Sequence, residues 1–277
     1  MKVPPAQPQI MINIDHNDIG GPARIAAKDG ADLFALAYTA LNDANLTNIQ
    51  YPPPVSGVEA RMRLEGRDEA AQRKHLEQRL IAMCIGELAQ GIRASLEEAA
   101  AFIEFIGEQH VAQAGMNLEQ INSQVQNRFA ALRVKAQGMP HPLLLQKVQD
   151  GLSAPLQWSP ELSSFQKVRN CLEHRGGVVG DRDIDETGLL VLKLPALGIF
   201  LQKDTDNLVP LPFGQVIEDL TPLVVSTFTK TQSFHRGDVV QIAPGEIPDI
   251  AFAVWMLADD LVSKLPGSPP VLQNAGT

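Results

Sequence analysis

The run Asp68–Ala114, DEAAQRKHLEQRLIAMCIGELAQGIRASLEEAAAFIEFIGEQHVAQA, decides the fold class. Leu76, Leu80, Cys84, Leu88, Ile92 and Leu96 follow one another at four-residue steps, and Ala99, Ile103 and Ile106 continue the line. That period draws an apolar stripe along one side of an α-helix, while Glu, Gln, Arg and Lys fill the other faces. No proline interrupts the run. Gly86, Gly91 and Gly107 weaken it locally, and a kink or break is expected near Gly91 if anywhere. The stripe is open on either reading, as one helix or two. A helix of this length has nowhere to bury its stripe alone, so the run implies a bundle of long helices.

The flanking segments extend that picture. Asn117, with Gln120 three residues on, reads as the N-cap of a helix reaching Gln137, closed by Gly138 and Pro140. Leu143 to Leu152 is a short helix. Ser159 as N-cap and Pro160 at the first position open another, with Leu162, Phe165, Val168 and Leu172 toward the core and Gly176-Gly177 as its stop. Upstream, Pro22 to Asn42 reads as a helix that starts at Pro22 and carries Ile25, Leu33, Leu36, Ala37 and Leu41 as its stripe. Tyr51-Pro52-Pro53-Pro54 is a loop, and the first fifteen residues are an arm in which Ile10 to Ile14 is briefly extended. After Gly177 the period changes. Gly188 to Leu194 and Ile199 to Leu201 have strand character, with Pro195 to Gly198 as a turn, and Val239 to Ile242 is a further β run. Gln215 to Phe228 fits a helix broken at Pro222 no better than two extended pieces. Asp249 to Leu265 is a final helix. The expected architecture is therefore mainly α: an arm and helix (1–60), a helical bundle (61–180), a small β insertion (181–245), a closing helix (246–266) and a disordered tail (267–277).

Composition bounds the function. At 277 residues the chain can bury a real core. Its two cysteines, Cys84 and Cys171, both lie in apolar helical runs, which reads as buried thiols in a reducing cytoplasm. No apolar run reaches the length of a membrane span, and no signal peptide is expected. A net charge of −9 argues against general nucleic-acid affinity. From Arg128 to Arg175, however, seven basic residues face three acids, a mild local excess that suits either a solvated helix face or an RNA met in a cleft.

Chemistry concentrates in Arg169-Asn170-Cys171-Leu172-Glu173-His174-Arg175. Asn170 and His174 are four apart and share a helical face, with Arg169 about 140° round from His174 at about 100° per residue. A guanidinium that forks onto phosphate beside an imidazole that moves protons is a minimal kit for cleaving a phosphodiester. The pattern R-N-x-x-x-H late in a helical bundle resembles the signature of HEPN domains, α-helical and usually dimeric proteins, many of them metal-independent ribonucleases of defence and toxin–antitoxin systems. The resemblance implies a HEPN-like bundle and an RNA substrate. It further implies a homodimer with two copies of Arg169, Asn170 and His174 around one cleft. His174 would act on the ribose 2′-hydroxyl or the leaving oxygen, Arg169 on the scissile phosphate, and Asn170 on the imidazole or phosphate. Lys167 and Arg175 would add substrate contacts. It implies no cofactor or metal, and leaves room for a regulatory or antitoxin partner. The tyrosine that one HEPN subgroup carries two positions after the histidine is absent, since Gly176 stands there.

A plainer reading accounts for the same letters. Arg169 and Glu173 form an i,i+4 surface ion pair, His174 and Arg175 sit favourably at a helix C-terminus, and Gly176-Gly177 is its cap. The chain is then a non-catalytic helical dimerisation or interaction module. Other clusters read as structural: Asp15-His16-Asn17-Asp18 as turn chemistry, Asp181 to Asp185 as a loop lacking the later positions of a calcium site, and His75, His110 and His235 as isolated histidines.

Overall fold

A computed structural model describes residues 15–46, 68–108, 117–204, 207–211 and 222–267. The expected extended arm at Ile10–Ile14, the loop at Tyr51–Pro54, most of the C-terminal tail and the first part of the ambiguous Gln215–Phe228 segment lie outside these residues. The fold is mainly helical with one small antiparallel sheet: α1 (His16–Asp43), α2 (Glu69–Gly107), α3 (Leu118–Gln137), α4 (His141–Gly151), α5 (Ser159–Arg175), β1 (Leu189–Asp204), β2 (Asn207–Pro210), β3 (Leu223–His235) and α6 (Ile247–Ser263).

The 39-residue α2 is one unbroken helix, about 58 Å long at 1.5 Å per residue, and every other helix packs on it. Gly91 does not break the helix. It is the point where α1 comes closest: a Cβ there would stand 2.4 Å from the Ala26 Cβ and 2.9 Å from the Pro22 carbonyl oxygen. The facing side of α1 is correspondingly small, with Ala23, Ala26, Ala27 and Gly30 buried beside Ile19 and Phe34.

This corrects the sequence reading of α1 twice. The helix begins at His16, not Pro22, because the Asp15 carboxylate accepts the Asn17 N–H (2.8 Å) and caps it. Asp15 to Asp18 is thus a cap and first turn. Pro22 lies inside the helix, where it contributes no N–H to the ladder; the next N–H, of Ala23, donates to the buried Ser95 hydroxyl on α2 (3.0 Å). The expected stripe is also on the wrong side. Ile25, Leu33 and Leu36 are 63%, 64% and 70% exposed, because the close α1–α2 approach admits only small side chains.

The capping box of α3 is as read: Asn117 and Gln120 exchange side-chain to backbone hydrogen bonds of 3.0 and 2.9 Å. At α5 the reading shifts by one residue. Ser159 is already helical, and its hydroxyl accepts from the Gln149 amide instead of capping. Gly176 ends α5 in the left-handed region (φ 61°), and the Gly177 N–H donates to the Cys171 carbonyl (3.1 Å). The last helix starts at Ile247, after a 3₁₀ turn at Pro244–Glu246.

The sheet order is β2-β1-β3. β1 is one continuous strand through Pro195 to Gly198, where a turn was expected. Pro195 faces Thr229 in a pair that exchanges no backbone hydrogen bonds, so its missing N–H costs the ladder nothing. The Val239–Ile242 run makes only an isolated bridge, Val178 to Val239. Leu190, Leu192 and Leu194 of β1 enter the same core as α1, α2, α4, α5 and α6. Ala101, Phe105 and Leu132 form a second, smaller core between α2 and α3. Among the described residues no helix is long and apolar enough to cross a membrane.

Candidate functional site

Helix α5 is fastened by Leu162, Phe165, Val168, Cys171 and Leu172, which are all buried. Its other side carries the motif, and the period splits that side in two. Ser163, Lys167, Asn170 and His174 succeed one another at four- and three-residue steps, so they form one line. Arg169 stands off that line, toward Glu173.

The consequences are visible in the contacts. The Arg169 guanidinium pairs with the Glu173 carboxylate, and its Nη1 also donates to the Asn170 side-chain oxygen Oδ1 (3.2 Å). That oxygen takes a second bond from the Gln166 amide (3.0 Å). The Glu173 carboxylate lies over Gly86 of α2, where a Cβ would meet its Oε1 at 2.6 Å. Arg169 and Asn170 are half-buried, and among the described residues His174 is exposed with no hydrogen bond or ion pair. Within one chain, Arg169 and His174 therefore do not converge on one point.

Arg175, expected to touch substrate, is committed elsewhere. Its Nε donates to the Asp183 carboxylate (2.7 Å), and a second nitrogen makes the parallel bond. Asp183 is 2% exposed and also accepts the Gly180 N–H (2.9 Å). This bidentate pair pins the loop after α5 to the helix end. Cys171 lies beneath it, and burial, followed by the Asp183 charge, pushes its thiol above the ordinary range.

Lys167 does reach a concave surface. A cleft of about 150 Å³ lies between α5 and β1, bordered by Ser163, Lys167, Asp183, Asp185, Val191 and Lys193. Asp185 is held below the ordinary carboxylate range, chiefly by the Thr187 hydroxyl and N–H, with the Lys167 charge contributing. Among the described residues neither Lys167 nor Lys193 has an ion-pair partner within 4 Å, and no group of three His, Cys, Asp or Glu gathers as for a metal. The sequence offered Asp183 only within the Asp181 to Asp185 run read as a loop, and gave Lys193 no site role. Asp183 lies eight residues past Arg175 across a glycine stop, and Lys193 sits on a strand, so no period links either to the motif.

No protein-family model, curated protein or solved structure matches the chain. The likeness to HEPN domains rests on Arg169, Asn170 and His174 and on the helical context.

Proposed function

We propose that this chain is a helical interaction protein that acts by docking, and that the Arg169–His174 stretch serves it as a polar structural contact. The observation that carries this reading is the apolar surface left open on the far half of the sheet. Leu197, Ile199, Leu223 and Val225 are all 48–65% exposed. Ile199 faces Val225 across the strands, next to the Leu197–Thr227 and Leu201–Leu223 pairs, so these four share one face and form a contiguous patch. Patches of that kind mark association surfaces more often than they mark nothing. The state of the cations supports it. Arg169 and Arg175 are each neutralised by a carboxylate of the same chain, which weakens both as phosphate ligands.

One observation favours a second reading, a metal-independent endoribonuclease of HEPN type acting as a homodimer on RNA. Lys167 borders the 150 Å³ cleft, and Asn170 and His174 continue the same line of α5 beyond it. The Arg169–Glu173 pair joins two partly exposed side chains and holds by only about 0.5 kcal/mol, so a phosphate could displace Glu173. In that reading His174 of one protomer takes the 2′-hydroxyl proton, the 2′-oxygen attacks phosphorus, and the 5′-oxygen leaves with a proton given by the protonated His174 of the second protomer, giving a 2′,3′-cyclic phosphate.

Incubation of RNA with purified wild type and with His174→Ala in EDTA separates the two. The docking reading expects no cleavage by either. Cleavage by wild type that His174→Ala abolishes would overturn it in favour of the nuclease.

A further inference from the structure

The two edges of the sheet are treated differently. Lys193 of β1 faces Thr231 of β3, yet its own N–H and C=O turn the other way, to the Ser164 hydroxyl on α5 (2.9 and 3.1 Å). Farther along, the Ile199 carbonyl takes the Leu211 N–H (2.9 Å), and β2 pairs with Phe200 to Asp204. The outer edge of β1 is thus closed by α5 and β2. Residues opposite one another in an antiparallel ladder share this orientation. Thr231 therefore also turns its N–H and C=O away from β1, and so do Leu223, Val225, Thr227, Thr229 and Ser233. Among the described residues no backbone or side-chain group hydrogen-bonds to these outward groups.

An open edge of this length usually carries a defence: proline, a bulge, or a charge. The thirteen residues of β3 pair with β1 without a bulge, and the strand contains no proline. Its one formal charge, Lys230, belongs to the residues of the other face and is bound to Glu246 (2.8 Å). The six outward residues are Leu, Val, Thr and Ser, favourable in strands and uncharged. In a molecule of net charge −9, copies repel over most of their surface, and this strand is a neutral window through which two can approach.

We propose that β3 pairs antiparallel with β3 of a second copy, joining two three-stranded sheets into one of six strands. Such a pair is two-fold by construction, so one sequence satisfies both sides. Centring it on the strand sets Thr229 opposite the partner's Thr229, Thr227 opposite the partner's Thr231 and Val225 opposite the partner's Ser233. The outward N–H groups from Val225 to Ser233 each find a carbonyl, and Thr227 and Thr231 make favourable pairs across the strands, while the Thr229 hydroxyl stays bonded to Glu161 (2.8 Å). The axis runs along the β3 edge, across the sheet from α5, so this dimer differs from one built around Arg169 and His174. The inference rests on the docking reading and names its partner.

The test uses the full chain in sedimentation velocity, with amide hydrogen exchange as a second readout. Wild type should be a dimer. Thr227→Pro removes one outward N–H and leaves the β1 ladder intact, so it should be monomeric with an unchanged circular dichroism spectrum; Thr231→Pro should match it. In wild type, the Thr227 and Thr231 amides should be protected in proportion to protein concentration. A monomeric wild type, a dimer that survives both prolines, or unprotected Thr227 and Thr231 amides in the dimer would each overturn the proposal. If a proline variant fails to fold, the exchange measurement on wild type decides. The docking reading itself falls only to His174-dependent RNA cleavage, so the two failures are distinct.

Discussion

Replacing Gly91 by alanine tests the feature that sets the fold. Two effects oppose each other. Alanine removes the backbone-entropy cost of a mid-helix glycine, worth about 1 kcal/mol in favour of the variant. Against that, the new Cβ would lie 2.4 Å from the Ala26 Cβ, 2.9 Å from the Pro22 oxygen and 3.2 Å from the Ala23 Cα. Carbon atoms sit at about 3.5–4.0 Å, so α1 must retreat by about 1 Å along much of its contact with α2. Two of the three obstructing atoms are backbone, which cannot rotate away. Overpacking of this kind costs about 1–3 kcal/mol, and the rigid obstruction places this case at the upper end, for a net loss of about 2 kcal/mol. Gly30→Ala is the matched control. It lies mid-helix in α1 at the same interface, but a Cβ there would stand 3.6 Å from the nearest atom, Leu88 Cδ2, an ordinary contact, so it should gain about 0.5–1 kcal/mol. Urea unfolding followed by circular dichroism reads both as opposite shifts of the midpoint. If Gly91→Ala proves as stable as Gly30→Ala, the close α1–α2 approach is not what organises the bundle. Ala26→Gly added to Gly91→Ala should restore only part of the loss, because the Pro22 carbonyl remains in the way.

Three further outcomes follow from particular groups. Asp183→Ala should cost about 2 kcal/mol in thermal unfolding, since it strands Arg175 and the Gly180 N–H, whereas Glu173→Ala should cost under about 0.5 kcal/mol; equal losses would refute the ranking of the two pairs. Burial, then the Arg93 charge, depresses His141 below its ordinary 6.5, and neither ring nitrogen has a partner. The unfolded chain therefore binds a proton that the folded chain refuses, so stability should be intact above pH 6.5 and fall as pH drops below it; a His141→Phe variant whose loss between pH 7 and 5 equals that of wild type would contradict this. Burial pushes the Cys84 thiol up to about 11, so a thiol reagent at neutral pH should label it only after denaturant is added, and rapid labelling of the native protein would count against the assigned core.

The long helices were legible because their period and caps are local. Asn117 and Gln120 lie three residues apart and need nothing else to form a capping box, and the α2 stripe repeats often enough to outweigh three glycines. What misled was size. Ile25, Leu33 and Leu36 outrank Ala23, Ala26 and Gly30 on any hydrophobicity scale, yet the small residues are buried, because Gly91 on another helix brings the α1 backbone close. A stripe of small residues at the same period carries that information only if closeness of approach is weighed above apolar area. Pro195 misled for a related reason. Proline reads as a break until the ladder shows which side its missing N–H would have faced.

At the candidate site the same division holds, and it explains why a six-residue motif supports two readings. Sequence placed Asn170 and His174 on one face, and the helix puts Lys167 on that face too. It could also anticipate the Arg169–Glu173 pair, since an i,i+4 partner is a local fact. It could not anticipate that Asp183 would return across the glycine stop to take both donors of Arg175, because that contact depends on the path of a loop. The motif thus reports two kinds of cation that look alike as letters. Arg175 is locked by a buried carboxylate, and freeing it would leave Asp183 buried with an uncompensated charge. Arg169 is held by a partly exposed neighbour, and freeing it costs little. Any phosphate chemistry at α5 would therefore have to run through Arg169, Lys167 and His174. Arg169 and His174 diverge within one chain, so a second chain would have to supply the missing group from the α5 side. A β3-to-β3 dimer puts its axis on the opposite side of the sheet. The two assemblies use different surfaces, and the one that forms in solution decides which reading of the motif survives.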